Sequence, residues 1–111
     1  MFEFSLDGYQ NLLRLISDKF QVLNFSQSRD QLKKDLHITD ICCLRHDVDY
    51  CLESALKMAM LENKLNVSSS YFFLVDSNYY NILSKRSCEI ITHIEEGLKN
   101  FVSWYRNYYE C

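Results

Sequence analysis

The segment from residue 41 to residue 75 constrains the fold of this chain more than any other part of it. Residues 41–44 (ICCL) are an uninterrupted apolar run, and residues 71–75 (YFFLV) are an aromatic run that ends in a β-branched valine. Between these runs, apolar side chains recur three and four positions apart, which is the spacing of one helix face: Leu52, Ala55, Leu56, Ala59 and Met60. Strand, helix and strand in this order predict two neighbouring parallel strands joined by a right-handed crossover.

The flanking segments extend this alternation of helices and strands. Helical spacing predicts a helix over residues 8–19, with Asp7 as its N-cap, and a short strand over residues 21–25. Residues 31–36 are predicted to form a short helix, and residues 84–109 have a helical pattern that Gly97 either weakens or divides in two. The chain is therefore predicted to be an α/β domain with three to four strands in a mostly parallel sheet.

Length and composition set further bounds on function. The chain has 111 residues, enough for one domain, and its 48% apolar and 24% charged residues are typical of a globular protein. A net charge of -3 predicts no nucleic-acid partner. There is no apolar run of membrane-spanning length and no signal peptide at the start, so no membrane partner and a cytoplasmic location are expected. Five cysteines, two of them adjacent, predict free and mostly buried thiols.

The residues best suited to chemistry are His46, Asp47 and Asp49, which lie where the apolar run ends and the helix begins. Ligands and catalytic groups gather at the carboxyl ends of strands in parallel α/β folds. Two carboxylates spaced i, i+2 can converge on one cation there, or divide the roles of metal ligand and base. Arg45 and His46 are candidates for orienting them. A purely structural role is also open, in which Asp49 caps the helix and Asp47 pairs with Arg45.

The string from Leu44 to Asn81 resembles the polysaccharide deacetylase (NodB-homology) family. It is similar to the branch whose first motif reads Arg-His-Asp-Val-Asp, which here spans Arg45 to Asp49. In that branch a helix follows, then Ser-Tyr-Phe-Phe and Tyr-Asn, which match residues 70–73 and 80–81. The resemblance extends over residues 8–96.

The resemblance implies a deformed (β/α) barrel, of which this chain would contain the first β/α units, and a metal-dependent hydrolase of acetylated sugars. In the family, the first motif supplies a general base and a metal-binding aspartate. Asp47 matches the base and Asp49 the metal ligand, with Arg45 and His46 in support. The implied cofactor is a divalent metal, zinc in most relatives, and the implied partner is a carbohydrate. Substrate-binding residues are not indicated.

The sequence departs from the family after Gly97. The two family histidines spaced i, i+4 have no counterpart, and a full barrel takes roughly 250 residues. We therefore expect residues 1–97 to be an N-terminal part of a deacetylase-like domain, truncated and inactive alone, and residues 98–111 to be a divergent helical or frayed tail. An open piece of barrel is also expected to self-associate through a sheet edge. Its exposed aromatic side chains would be Tyr71, Phe72, Phe73 and Phe101.

Two other functions compete with this one. A phosphatase of the haloacid dehalogenase type also places Asp-x-Asp at the end of an apolar strand and binds Mg²⁺. Against it, Arg45 and His46 interrupt the apolar run just before Asp47, and the helix that follows lacks a Gly/Thr-rich loop. The third reading is a non-catalytic remnant or interaction module, which the scarcity of glycine and the missing histidines favour.

Overall fold

The computed structural model describes residues 5–35, 37 and 39–105 as an alternation of helices and parallel strands. Among these residues, none of the helices has the length and apolar character needed to cross a membrane. The elements in chain order are α1 (Leu6–Lys19), β1 (Gln21–Leu23), α2 (Phe25–Lys34), β2 (Ile41–Cys43), β3 (Arg45–Val48), α3 (Leu52–Lys64), β4 (Ser70–Leu74), α4 (Lys85–Thr92), a π-helix (His93–Gly97) and β5 (Phe101–Tyr105).

All of these strands pair in parallel, in two sheets. β1 pairs with β2, and β3, β4 and β5 form a sheet in that order. The strands on either side of α3, β3 and β4, are adjacent and parallel as predicted, with Asp47 in register with Phe72. The first of these strands is residues 45–48 and not the apolar run at residues 41–44, which forms β2 and pairs with β1. The α/β class and the parallel sheet are thus confirmed, and the described strands do not close into a barrel.

Helices α1 and α2 begin at residues other than those predicted. The N-cap of α1 is Ser5, whose hydroxyl accepts a hydrogen bond from the backbone of Gly8 at 3.1 Å, so the assignment of Asp7 as the cap was wrong. Asp7 lies in the first turn, where its negative charge is favourable at the positive end of the helix dipole. Asn24, predicted as strand, caps α2 in a reciprocal capping box with Gln27, and this cap ends β1 at Leu23.

The helix predicted over residues 84–109 stops at Gly97, and Phe101–Tyr105 is a strand, so the helical interpretation of that part of the tail was wrong. Buried Asn100 fixes the change of direction. Its side-chain oxygen accepts a hydrogen bond from the Ser69 backbone at 2.8 Å, and its amide nitrogen donates to the Ile94 carbonyl at 3.0 Å. Residues 106–111 lie outside the described part of the chain.

The hydrophobic core lies between one face of the β3–β4–β5 sheet and the helices α3 and α4. Tyr71 and Phe73 project from β4 into this core and are fully buried, so their predicted exposure was wrong. Phe72 and Phe101 lie on the opposite face and are half-buried. The core residues are Val48, Leu52, Ala55, Ala59, Tyr71, Phe73, Ile90, Ile91 and Ile94.

Three of the connections that lead to strands contain a residue in the left-handed region. These residues are Asp40, Asn66 and Lys99, with φ of 64°, 59° and 57°. For residues other than glycine, this backbone conformation costs roughly 1–2 kcal/mol in free energy, and the cost is lowest for Asn and Asp. The chain has only 2 glycines, and neither occupies such a position.

The four described cysteines are free thiols, as predicted: Cys42, Cys43, Cys51 and Cys88. The prediction that they are mostly buried was wrong, because three are exposed and Cys42 is half-buried. Cys51 is exposed because it occupies the N-cap of α3, where the chain leaves the sheet. Cys111 lies outside the described residues.

Candidate functional site

The side chains of the motif residues in β3 are divided between the two faces of the sheet. Because successive side chains point to opposite faces, Arg45 and Asp47 share one face with Asp49, which follows the last residue of the strand. His46 and Val48 point to the other face, toward the helices. The two carboxylates therefore lie together at the carboxyl end of β3, as predicted, and His46 is separated from them by the sheet.

Asp47 is held by an ion pair on the open face. The Arg45 Nε atom lies 2.7 Å from Asp47 Oδ1, and both side chains are about half exposed. The Arg45 guanidinium carbon lies 4.0 Å from the centre of the Phe72 ring, which fixes the arginine over the sheet. This pairing was one of the two structural roles open for the motif, and it is confirmed.

Asp49 is held by the last strand of the sheet. Its Oδ1 atom accepts a hydrogen bond from the Tyr105 hydroxyl of β5. Partial burial, followed by the adjacent Asp49 carboxylate, raises the pKa of Tyr105, so this hydroxyl remains a donor. Asp49 does not cap α3, since the N-cap is Cys51 and no side chain completes that cap. The capping role open for Asp49 was therefore wrong.

Tyr80 ties the ends of β3 and β4 together beside the carboxylates. Its hydroxyl donates to the Val48 carbonyl at 2.5 Å and accepts from the Leu74 backbone nitrogen at 2.8 Å. Burial raises the pKa of this phenol, so the hydroxyl keeps the proton that it donates to the Val48 carbonyl. The strand ends that position Asp49 are thereby fixed relative to each other.

An aromatic cleft of 210 Å³ adjoins Asp49. The rings of Tyr50 and Tyr79 meet edge to face across it, with centres 4.7 Å apart, and both are about two-thirds exposed. A second cleft, of 410 Å³, runs along the outer edge of β3 beside the start of α3 and includes both Asp47 and Asp49. The candidate site is thus open to solvent on two sides.

The other face holds a buried carboxylate that the sequence interpretation missed. Glu62 of α3 is fully buried and accepts hydrogen bonds from Tyr9, from Ser69 at 2.7 Å and from Tyr71 at 2.7 Å. The His46 Nε2 atom lies 2.8 Å from the same carboxylate. Glu62 falls in the apolar spacing of α3, one turn beyond Ala59, and a charge at such a position is the signal that could have revealed it.

These contacts determine the charge state of Glu62. Burial alone would raise the pKa of Glu62, but the hydrogen bond and charge of His46, with the donors of Tyr71 and Tyr9, outweigh it and lower that pKa below 4.5. Burial, together with this carboxylate, raises the pKa of both tyrosines, which therefore stay protonated as donors. The cluster joins α1, β3, α3 and β4 around one negative charge.

We expect this charge to make folding sensitive to acid. Because the folded-state pKa of Glu62 is depressed, its contribution is fully present above the unfolded value of 4.5 and is lost as the pH falls through the folded value. Urea unfolding of the wild type and of Glu62→Gln, compared from about pH 6 down to about pH 3, measures it. The wild-type advantage should shrink on acidification, and an advantage that is constant with pH would contradict the assignment.

The described residues do not form the zinc site implied by the family resemblance. Across residues 5–35, 37 and 39–105, no three His, Cys, Asp or Glu side chains are grouped to hold a metal ion. Asp47 and Asp49 are the only motif carboxylates at the strand end, and each already has a partner in Arg45 or Tyr105. A catalytic zinc requires three protein ligands and an open position.

Comparison with known proteins adds no assignment, since no family model, no curated protein and no solved structure matches this chain.

Proposed function

We propose that this chain is derived from the metal-dependent polysaccharide deacetylases, which hydrolyse acetyl groups on sugars, and that the isolated chain has negligible activity. The observation that carries the proposal is the position of Asp47 and Asp49, the matches to the base and the metal ligand of the family, on one face at the carboxyl end of β3. In this proposal the parallel strands correspond to the first β/α units of a deformed (β/α) barrel. The substrate class is an acetylated carbohydrate, and the location is cytoplasmic.

The pairing of both carboxylates supports the inactivity of the isolated chain. Asp47 already shares its Oδ1 atom with Arg45 at 2.7 Å, which leaves only its second oxygen to accept a proton as a general base. Asp49 accepts the Tyr105 hydrogen bond at the position where a metal ligand would be needed. The same pairings favour a second candidate, a non-catalytic interaction module that retains the motif as structure.

We expect acetate release from acetylated chito-oligosaccharides in the presence of zinc to be no faster for the wild-type chain than for Asp47→Asn. The physical reason is the incomplete ligand set, because the loss of even outer-shell partners costs about 10–100-fold in metal affinity or activity. A coupled enzymatic assay for acetate provides the measurement. Turnover above that of Asp47→Asn would contradict the proposed inactivity, and Mg²⁺-dependent release of phosphate would favour the haloacid dehalogenase alternative.

A chimera tests the proposed origin directly. Residues 1–97 are joined to the part of an active deacetylase that begins at the paired histidines. If the first motif retains its role, the chimera releases acetate with zinc, and Asp47→Asn or Asp49→Asn in the chimera abolishes that release. A chimera that folds but remains inactive favours the non-catalytic module.

A further inference from the structure

Strand β5 has one hydrogen-bonding side turned toward β4 and the other turned away from it. The Phe101 nitrogen donates to the Ser69 carbonyl, and the Val75 nitrogen donates to the Tyr105 carbonyl, both at 3.1 Å. Residues 101, 103 and 105 therefore bond to β4, and the backbone groups of Val102 and Trp104 point the opposite way. Within the part of the chain that the structure describes, β5 pairs only with β4 and these outward groups have no partner.

This edge lacks the features by which proteins usually prevent strand pairing. Within the strand itself, those features are charged side chains such as lysine, proline, bulges and inward-pointing charges. Phe101–Tyr105 contains no charged residue and no proline, and four of its five residues are aromatic or β-branched. Trp104 leaves 47% of its surface exposed although it packs against Phe73. The edge is therefore both apolar and open to hydrogen bonding.

We propose that β5 pairs with β5 of a second copy of this chain, antiparallel and about a two-fold axis centred on Ser103. In this register Val102 lies opposite Trp104 of the second copy, and the two residues exchange both of their backbone hydrogen bonds. The two-fold axis generates a second, identical exchange, between Trp104 of the first copy and Val102 of the second. The N–H and C=O groups of Val102 and Trp104 in each copy are then all hydrogen-bonded. The pairing continues the β3–β4–β5 sheet into its symmetry mate.

The side chains of the edge fit the same arrangement. On the helix-covered face, Val102 meets Trp104 of the second copy, and on the open face Phe101 meets Tyr105. Cross-strand pairs of aromatic and β-branched residues contribute roughly 0.2–1 kcal/mol each. The segment carries no charge, so no like charges oppose each other across the axis. A two-fold axis closes the assembly at two copies.

The contact is short, and we expect a weak dimer. Five residues span about 17 Å at ~3.4 Å per residue. An interface of this length falls at the small end of the range for specific complexes, for which stable examples bury about 1,200–2,000 Å². We expect a dissociation constant in the micromolar range or higher.

A cysteine at the symmetry axis tests the register. In a variant with all five native cysteines changed to serine, Ser103→Cys places two thiols opposite each other in a non-hydrogen-bonded pair. Their Cα atoms are then ~4.5 Å apart, within the disulfide range of ~4.4–6.8 Å. We expect mild oxidation to produce a covalent dimer at least ten times faster than with the matched variant Ser17→Cys, on the exposed side of α1. Equal rates for the two variants would overturn the proposal.

Wild-type protein provides a second measurement, because Trp104 is the only tryptophan in the chain. Its fluorescence should shift to shorter wavelength as the concentration rises into the dimer range, in parallel with the mass measured by sedimentation equilibrium. Val102→Pro removes an outward N–H and leaves the β4 ladder intact, and it should weaken the dimer at least tenfold. If this variant does not fold, Val102→Lys replaces it. A wild-type chain that remains monomeric at millimolar concentration would also overturn the proposal.

Discussion

Replacing Glu62 by alanine is expected to lower the free energy of unfolding by about 3–5 kcal/mol, because it removes the shared partner of a buried cluster. Tyr9, Ser69, Tyr71 and His46 all direct polar atoms at this carboxylate. Without it the buried hydroxyls of Ser69 and Tyr71 lose their acceptor, each at a cost of roughly 1–3 kcal/mol if water cannot enter. Small domains have only about 5–15 kcal/mol of stability in total. Urea unfolding followed by circular dichroism measures the loss.

Glu53→Ala is the matched control, since Glu53 lies on the same helix with its side chain 55% exposed and has long contacts of 3.8 Å, to Arg86 and to the Cys51 thiol. Because Glu53 is an acidic residue in the first turn of α3, its removal is expected to cost about 0.3–1 kcal/mol, well below the loss for Glu62→Ala. If Glu62→Ala does not fold at all, Glu62→Gln keeps the volume and one acceptor oxygen and should fall between the two. Equal stabilities for Glu53→Ala and Glu62→Ala would show that the buried cluster contributes nothing.

Phe73→Ala is expected to cost about 3–5 kcal/mol, the usual loss when a fully buried phenylalanine leaves a cavity. Phe73 is entirely inaccessible to solvent and packs in the core formed with α3 and α4. The change removes both the buried apolar surface and the packing of the Trp104 ring against it. Thermal and urea unfolding both report the effect.

The preceding residue provides the control for this change. Phe72 has the same side chain on the same strand but lies half-buried on the open face, beside Phe25 and Phe101. Phe72→Ala should therefore cost well under half as much as Phe73→Ala, in proportion to the smaller area removed from water. A larger loss for Phe72→Ala would mean that the open face is the more tightly packed one.

The succession of a strand, helix α3 and the parallel strand β4 could be predicted from local signals. The helical spacing of α3 and the aromatic run of β4 each favour their own element, and a parallel crossover is almost always right-handed. The apolar run at residues 41–44 forms β2 beside β1, whereas the neighbour of β4 is the polar stretch at residues 45–48, which carries no strand signal of its own. The placement of Asp47 and Asp49 followed from the same pattern, since it requires only the end of a strand and the alternation of its side chains.

The contacts of these residues could not be predicted, because they depend on distant parts of the chain. The partner of Asp49 is Tyr105, 56 residues away, in a segment whose spacing favoured a helix. The strand forms because Lys99 adopts a left-handed conformation and Asn100 bonds to Ser69, and neither signal is periodic. His46 was grouped with the aspartates by sequence adjacency, although a residue next to Asp47 in a strand must point to the other face.

The left-handed conformations of Asp40, Asn66 and Lys99 also bear on the unfolded chain. Glycine would relieve the folded-state strain at these positions, but it gives the denatured ensemble more conformations to lose. Replacing glycine by a residue with a side chain reduces that entropy by about 0.4–1 kcal/mol per site. With Asp, Asn and Lys in place of glycine, the denatured ensemble has fewer conformations at these three positions. The strain held in three connections of the native fold is thus partly offset by a smaller loss of chain entropy on folding.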